Sequence, residues 1–321
     1  MQIRDHDSHP EHPPTSAYAR SGEPAARALA GLGYDGVQDA FGPWWSAEVG
    51  ARAQETSPVD WFPRMAATPD EERALAARGF AEVAGLWVPS REIADSWARV
   101  VAQEPRLDLS SYVVESVRGP RPGGCDWKIF VEIYCDDYHV EPFHPGLASL
   151  ADCDRLRWIW DEQAQAQVVG FSSSAGSGSP AYEKFVELSR AARSDRSVGA
   201  AWGLLYPSTM VEWLAGGVAV STLEPTAPGA CVNRVAFAYP RELLARCSEF
   251  PGAHQAAYWE TAREDDDIAR RIQAGRDALA AAGRDERGPA HPELEAGVVE
   301  FHRWMARAPW RAKPAAPPVE P

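Results

Sequence analysis

Cys125–Leu147 reads CDWKIFVEIYCDDYHVEPFHPGL. Those 23 residues hold two histidines, five carboxylates and a run of aromatic side chains. No other stretch is as dense in groups that bind a metal or move a proton. Asp126 is placed to cap a helix. Trp127, Phe130, Val131, Tyr134 and Tyr138 recur at helical spacing and form an apolar stripe. Glu132, Asp136 and His139 fall on another face, at i, i+4 and i+7. Pro142 is expected to stop the helix. His144 follows the bend, so both imidazoles can converge on one point. By themselves, two histidines with four residues between them read equally well as structural side chains.

The chain around this stretch is that of a globular protein. It has 321 residues, 45% hydrophobic and 24% charged, enough for one large domain or two ordinary ones. A formal net charge of -14 disfavours nucleic acid and acidic membrane surfaces as partners. No window has the uninterrupted apolar length of a transmembrane helix. The opening MQIRDHDSHPEHPP is polar and lacks the apolar core of a secretory signal. Five cysteines, an odd count with no CxxC pair, point to a reducing cytoplasm.

Read in order, residues 1–25 form a polar leader with His6, His9 and His12, expected to be disordered. Thr68-Pro69-Asp70 begins a helix. Phe80–Pro89 reads as a strand, Ser90 caps a helix to about Gln103, and Leu107–Val117 reads as a second strand followed by a loop over Pro120–Gly124. Between 155 and 240 the pattern is mainly β. There are short runs at 157–160, 165–171, 201–205, 210–214, 218–223 and 232–239, most of them bounded by Gly, Ser or Pro. One inserted helix is expected at 181–193, after a Ser/Gly loop at 172–180. So many strands with so few helices between them imply an antiparallel layer. Helices follow at 254–282 and 292–306, then a Pro-rich tail, 308–321, expected to be disordered.

A second acidic cluster, Glu264-Asp265-Asp266-Asp267, lies on the long helix. Two histidines and one carboxylate make the facial triad of non-haem Fe(II) oxygenases, which leaves positions open for O2 and substrate. Acids on a helix are equally a solvated face.

The stretch Cys125–Pro145 resembles the signature of ring-hydroxylating oxygenase α-subunits, the Rieske non-haem iron oxygenases, approximately N-W-K-x3-E-N-Y-x-[DE]-x-Y-H-x4-H-P. Trp127, Lys128, Glu132, Tyr134, Asp136, Tyr138, His139, His144 and Pro145 fall in place. Leu205–Met210 is similar to the family's F-P-N-x-M strand and Leu223–Gly229 to its x-x-P-x-x-P-G turn. Glu264 and Asp265 with Ile268, Gln273 and Gly275 resemble its E-D-x2-I-x4-Q-x-G helix, and Glu295–Trp304 its closing helix. The resemblance covers residues 80–307. It implies His139, His144 and Asp265 as ligands of a mononuclear Fe(II), with Asp266 and Asp267 as fallbacks. It implies Asp136 as the carboxylate that links the iron to the Rieske cluster of a neighbouring subunit; the bland reading of Asp136 is a solvated helix face. It also implies an α+β helix-grip fold of the Bet v1 or START type, a curved antiparallel sheet around a long C-terminal helix. Trp158, Trp160, Trp202, Tyr206 and Trp213 are candidates for the pocket wall or for core.

Three departures stand against the pattern. Ile133 replaces an Asn, and Asp126 replaces the leading Asn. No cysteine has a histidine two or three residues after it, so no Rieske [2Fe–2S] cluster is expected in this chain, and residues 26–79 read as a degenerate or unrelated region. The implied function is O2-dependent hydroxylation or dealkylation of a small organic substrate, aromatic compounds included. Electrons would come from a Rieske-bearing subunit or reductase, in a homo- or hetero-trimer. The alternative is a non-catalytic helix-grip binding or assembly subunit. A third is that the coding sequence upstream carries the cluster domain.

Overall fold

The computed structural model of the chain describes residues 62–136, 138–171, 179–192, 199–227, 229–282, 291 and 294–307. The expected leader and tail lie outside them, as does most of the 172–180 loop. Helix α1 (Pro69–Ala77) starts where the sequence places it, with the Glu71 amide donating to Thr68 Oγ1 at 3.2 Å. The single strand expected over 80–89 is instead a hairpin, β1 (Ala81–Val83) and β2 (Leu86–Val88). It folds back at Ala84–Gly85, whose φ angles of 50° and 81° are those of a tight hairpin turn. A Cβ at Gly85 would meet the Leu109 carbonyl at 2.5 Å, so this turn needs glycine twice over. Ser90 caps α2 (Arg91–Gln103), as expected.

Strand β3 (Tyr112–Gly123) begins later than predicted and runs through the expected Pro120–Gly124 loop. It tolerates its prolines because it is an edge strand. Register shifts at Val114/Ser116 and Arg118/Arg121 keep it paired. The central helix is also shorter than predicted. It breaks into α3 (Trp127–Tyr134), α4 (Val140–Phe143) and α5 (Pro145–Ala148). Asp136 Oδ1 accepts from the Tyr138 amide at 2.9 Å, a local turn that competes with helix. Pro142 therefore stops nothing; it lies in the first turn of α4, where its missing N–H costs no bond. Tyr138 leaves the apolar stripe and is 49% exposed, while Trp127, Phe130 and Val131 are buried.

Six strands then meander: β4 (Ala151–Trp160), β5 (Ala164–Phe171), β6 (Ala200–Leu205), β7 (Thr209–Leu214), β8 (Gly217–Ala227) and β9 (Ala230–Pro240), with α6 (Pro180–Ala192) inserted between β5 and β6. With β3 beside β9 they form one seven-stranded antiparallel sheet, in the order β3-β9-β8-β7-β6-β5-β4. The chain closes with α7 (Arg241–Arg246), the 32-residue α8 (Phe250–Ala281) and α9 (Ala296–Arg307). The expected α+β helix-grip arrangement is thus present. No described helix is long and apolar enough to cross a membrane.

Alternation along the strands sorts the core into layers. Ala201, Leu205, Val211 and Trp213 pack against Trp97 and Val100 of α2. A Cβ on Gly203 would meet the Trp97 ring at 2.6 Å, so this glycine lets the indole lie on the sheet. On the other face, Trp202, Phe237 and Tyr239 meet Phe185 of α6 and Phe250 and Ala257 of α8. Beside them, α3 and α9 close over Leu204, Tyr206 and Met210. Upstream, Phe62 is buried and Arg64 exchanges backbone hydrogen bonds with Trp87, so this end of the 26–79 region joins the packed unit.

Phe237 is fully buried and meets His254, Tyr258 and Trp259 edge-on. Phe237→Ala is expected to cost about 3–5 kcal/mol, read as a lower midpoint in urea denaturation.

Candidate metal centre

Two short helices and one long one deliver three donor groups to one place. His139 is the N-cap of α4, His144 joins α4 to α5, and Asp265 lies midway along α8. Gly146 lets α5 come close. A Cβ there would meet the Tyr182 ring at 2.4 Å and Glu260 Oε1 at 2.7 Å. Tyr182 in turn hydrogen-bonds Thr261 at 2.6 Å, tying α6 to α8. His144 is thereby pressed against α8 and is 1% exposed.

One donor atom from each of His139, His144 and Asp265 lies within 4.8 Å of the others. Asp265 Oδ1 stands 2.9 Å from His144 Nε2 and 3.7 Å from His139 Nε2, and the two rings meet edge to face with centroids 5.0 Å apart. Adjacent ligands of an octahedral ion bound at ~2.1 Å stand about 3 Å apart, so this spacing is close to that of a facial set. His144 Nδ1 is 2.8 Å from Glu264 Oε2. That carboxylate fixes the proton on Nδ1 and leaves the Nε2 lone pair for an ion. Asp136 Oδ2 stands 3.5 Å from His139 Nδ1, and no hydrogen bond forms between them. The donor set fits a first-row divalent ion.

The neighbouring acids separate by rotation. Asp266 is paired with Arg121 of β3, and Asp267 Oδ2 is 2.5 Å from Arg271. Neither belongs to the cluster. Glu132 does not share a site face with Asp136 and His139, because the helix breaks between them. Instead it joins α3 to α8 and α9 through Arg276 at 2.5 Å and His302 at 2.8 Å.

A pocket opens beside the three donors, lined by Phe130, Ile133, Tyr134, Asp136, Tyr182, Trp202, Glu212, His254 and Tyr258 among others. Of the five aromatic wall candidates only Trp202 lines it. Tyr206 stacks on Trp304, Trp213 packs on the α2 side and donates to Tyr112 Oη, and Trp158 and Trp160 stack on each other. Glu212, Tyr258 and His254 escaped the sequence reading. For Glu212 there was a signal: it is a lone acid in the apolar strand TMVEWL.

Electrostatics follow from burial and pairing. Burial pulls the His139 imidazole down, but the carboxylates of Asp136 and Asp265 outweigh it and hold it up at about 9. His144 is likewise raised, by Asp265 and Glu264 against the pull of burial. Burial pushes Asp265 up, and the two imidazoles bring it below its ordinary value. Burial and then the charge of Asp265 push Glu212 up to about 8. Burial alone drops His254 to about 3, so it is neutral.

The signs agree. Protonated His139 contributes stability that is complete below pH 6.5 and lost as pH rises through about 9. The cost of ionising Glu212 begins above pH 4.5 and is complete beyond about 8. The metal-free protein is therefore expected to lose thermal stability between pH 6.5 and about 9. Melting curves taken in chelator across that range check it, and a flat or rising Tm contradicts it.

Comparison with known proteins identifies the architecture. The family described as ring hydroxylating alpha subunit (catalytic domain) matches residues 95–309. A putrescine 2-hydroxylase of Ralstonia nicotianae is 40% identical over 228 residues, 69% of this chain and 61% of that protein. A putrescine 2-hydroxylase of Bordetella bronchiseptica is 38% identical over 222 residues, 68% of this chain and 50% of that protein. The chain thus spans about half to three-fifths of the length of these relatives. Among solved structures, a quaternary ammonium Rieske monooxygenase bound to an inhibitor superposes with a TM-score of 0.53 at 15% identity, over 71% of this chain and 60% of that one. A second structure of such an enzyme gives 0.52 at 15% identity, over 71% and 61%. At that identity the likeness concerns the fold alone. The family match and the two relatives together place this chain among the ring-hydroxylating α-subunits of the Rieske oxygenases, as their catalytic domain.

Proposed function

We propose that His139, His144 and Asp265 hold a mononuclear Fe(II), and that this chain is the catalytic part of an O2-dependent oxygenase that hydroxylates a small aliphatic amine. The observation that carries the reading is the convergence of two imidazoles and one carboxylate beside a mostly apolar pocket. Bound iron would supply the O2-activating redox chemistry. The chain's own residues position and insulate it. Glu264 orients His144, Asp265 is held ionised by the two imidazoles, and Phe130, Ile133 and Leu147 exclude water. Relatives named putrescine 2-hydroxylase support an amine substrate in preference to an aromatic one.

Putting one oxygen atom of O2 into a C–H bond and reducing the other to water takes two electrons and two protons from outside the substrate. The 321 residues contain no Cys-x-His or Cys-x2-His pair, so they do not fit a Rieske cluster of the usual spacing. As the source of those electrons we propose a Rieske-bearing subunit or a reductase, which membership of this family supports. Asp136 is assigned as the point of entry, because it lines the pocket beside His139.

Anaerobic reconstitution with Fe(II) tests the centre. Wild type is expected to retain about one iron per chain, and Asp265→Ala and His144→Ala close to none. Unchanged iron in Asp265→Ala would sink the assignment, and near-zero iron in wild type would favour the non-catalytic binding subunit. Glu264→Gln is expected to weaken iron binding about 10–100-fold in a chelator competition, through the lost hold on His144. Asp136→Asn is expected to keep its iron but lose turnover driven by a Rieske partner. Full turnover in that variant would remove Asp136 from the electron route.

A further inference from the structure

Glu212 sits in β7 as the one position of that strand that is not fully buried, and it lines the pocket. Its cross-strand neighbours are Trp202 on β6 and Ala219 on β8, and both line the same pocket. The carboxyl has a hydroxyl partner in Ser221, which also bonds Tyr258 Oη at 2.8 Å. Among the described residues no ion pair is formed with it. Other acids in the protein's interior differ. Glu104 is paired with Arg106 and Arg157, Glu132 with Arg276 and His302, and Glu224 with Arg234.

The pocket does not supply the missing partner. No lysine or arginine lines it. His139 and His144 are engaged with Asp265, and His254 is neutral among Phe185, Phe237 and Phe250. An ionised carboxyl in such a place is costly unless a cation joins it. Three acids, Asp136, Glu212 and Asp265, line a chamber walled by the rings of Tyr134, Trp202 and Tyr258, and of the three only Asp136 and Asp265 have a histidine beside them. Aromatic side chains around a cavity favour a cation as well. A neutral molecule would leave the carboxyl unpaired, and an anion would be repelled.

We propose that Glu212 is the anchor for the ammonium group of a small aliphatic amine or diamine, with Trp202 and Tyr258 beside it. The proposal rests on the amine-hydroxylase reading above and gives it a specificity-determining residue. The ammonium donates to the Glu212 carboxylate, and the alkyl chain lies in the apolar part of the same chamber that holds His139, His144 and Asp265.

Calorimetric titration of the iron-reconstituted full chain tests this, with 1,4-diaminobutane and its neutral isostere 1,4-butanediol as probes. Wild type is expected to prefer the diamine, Glu212→Gln to lose about tenfold or more of diamine affinity with no change for the diol, and Glu212→Asp to keep the preference. Equal diamine affinity in wild type and Glu212→Gln overturns the proposal. So does a wild type with no preference for diamine over diol, a result that stands even if the variants fail to fold. Iron content in the same samples reports on the metal centre separately. The diamine preference decides the anchor whether or not iron is retained.

Discussion

One carboxylate shared between two imidazoles is the contact on which the site depends. Asp265 Oδ1 lies within 4 Å of both His139 Nε2 and His144 Nε2. Each imidazole belongs to a broken, irregular stretch of chain, and the carboxylate belongs to the longest regular element. Without an ion, protons take its place: the histidines are raised and Asp265 is lowered, so the three groups attract one another. An ion binding there would displace those protons, which couples metal occupancy to pH.

The rotation of α8 is what allows this. Consecutive helical residues turn by about 100°, so adjacent acids point in different directions and cannot all face one site. Arg121 of β3 holds Asp266, Arg276 of α8 holds Glu132 of α3, and Ser179 donates to Glu260 at 2.8 Å. With those contacts made on neighbouring faces, Asp265 is directed at the histidines and Glu264 at His144 Nδ1. Buried charge in this protein is thus generally paired, and the pairings set the register of helices against the sheet. Glu212 is the conspicuous exception, and it faces the pocket.

Much of the fold was legible in the sequence because its signals are local. Thr68 and Ser90 cap the helices they were expected to cap. The six strands between 151 and 240 fall on branched and aromatic runs, most of which end at Gly, Ser or Pro. The misread parts share one cause: a tertiary or side-chain contact overrode a local preference. Ala84–Gly85 folds one expected strand into two. Pairing with β9 carries β3 through its prolines. The Asp136 side chain ends a helix that periodicity alone would have continued to Pro142.

The sequence by itself determined which residue types could form the centre. It placed two histidines about a bend and four acids in a row on a distant helix, in the family's order. Composition and spacing alone left open which acid, because four neighbouring carboxylates differ little in propensity, and it was the family's pattern that pointed to Asp265. The tertiary structure brings Asp265 to the histidines and pairs Asp266 and Asp267 with arginines, since that depends on how α8 is rotated against β3 and α5. It also decided that Trp202 lines the pocket while Trp158, Trp160, Tyr206 and Trp213 do not. A wall is made by side chains that share one face of a sheet across several strands, and pairing register, a non-local property, fixes that face.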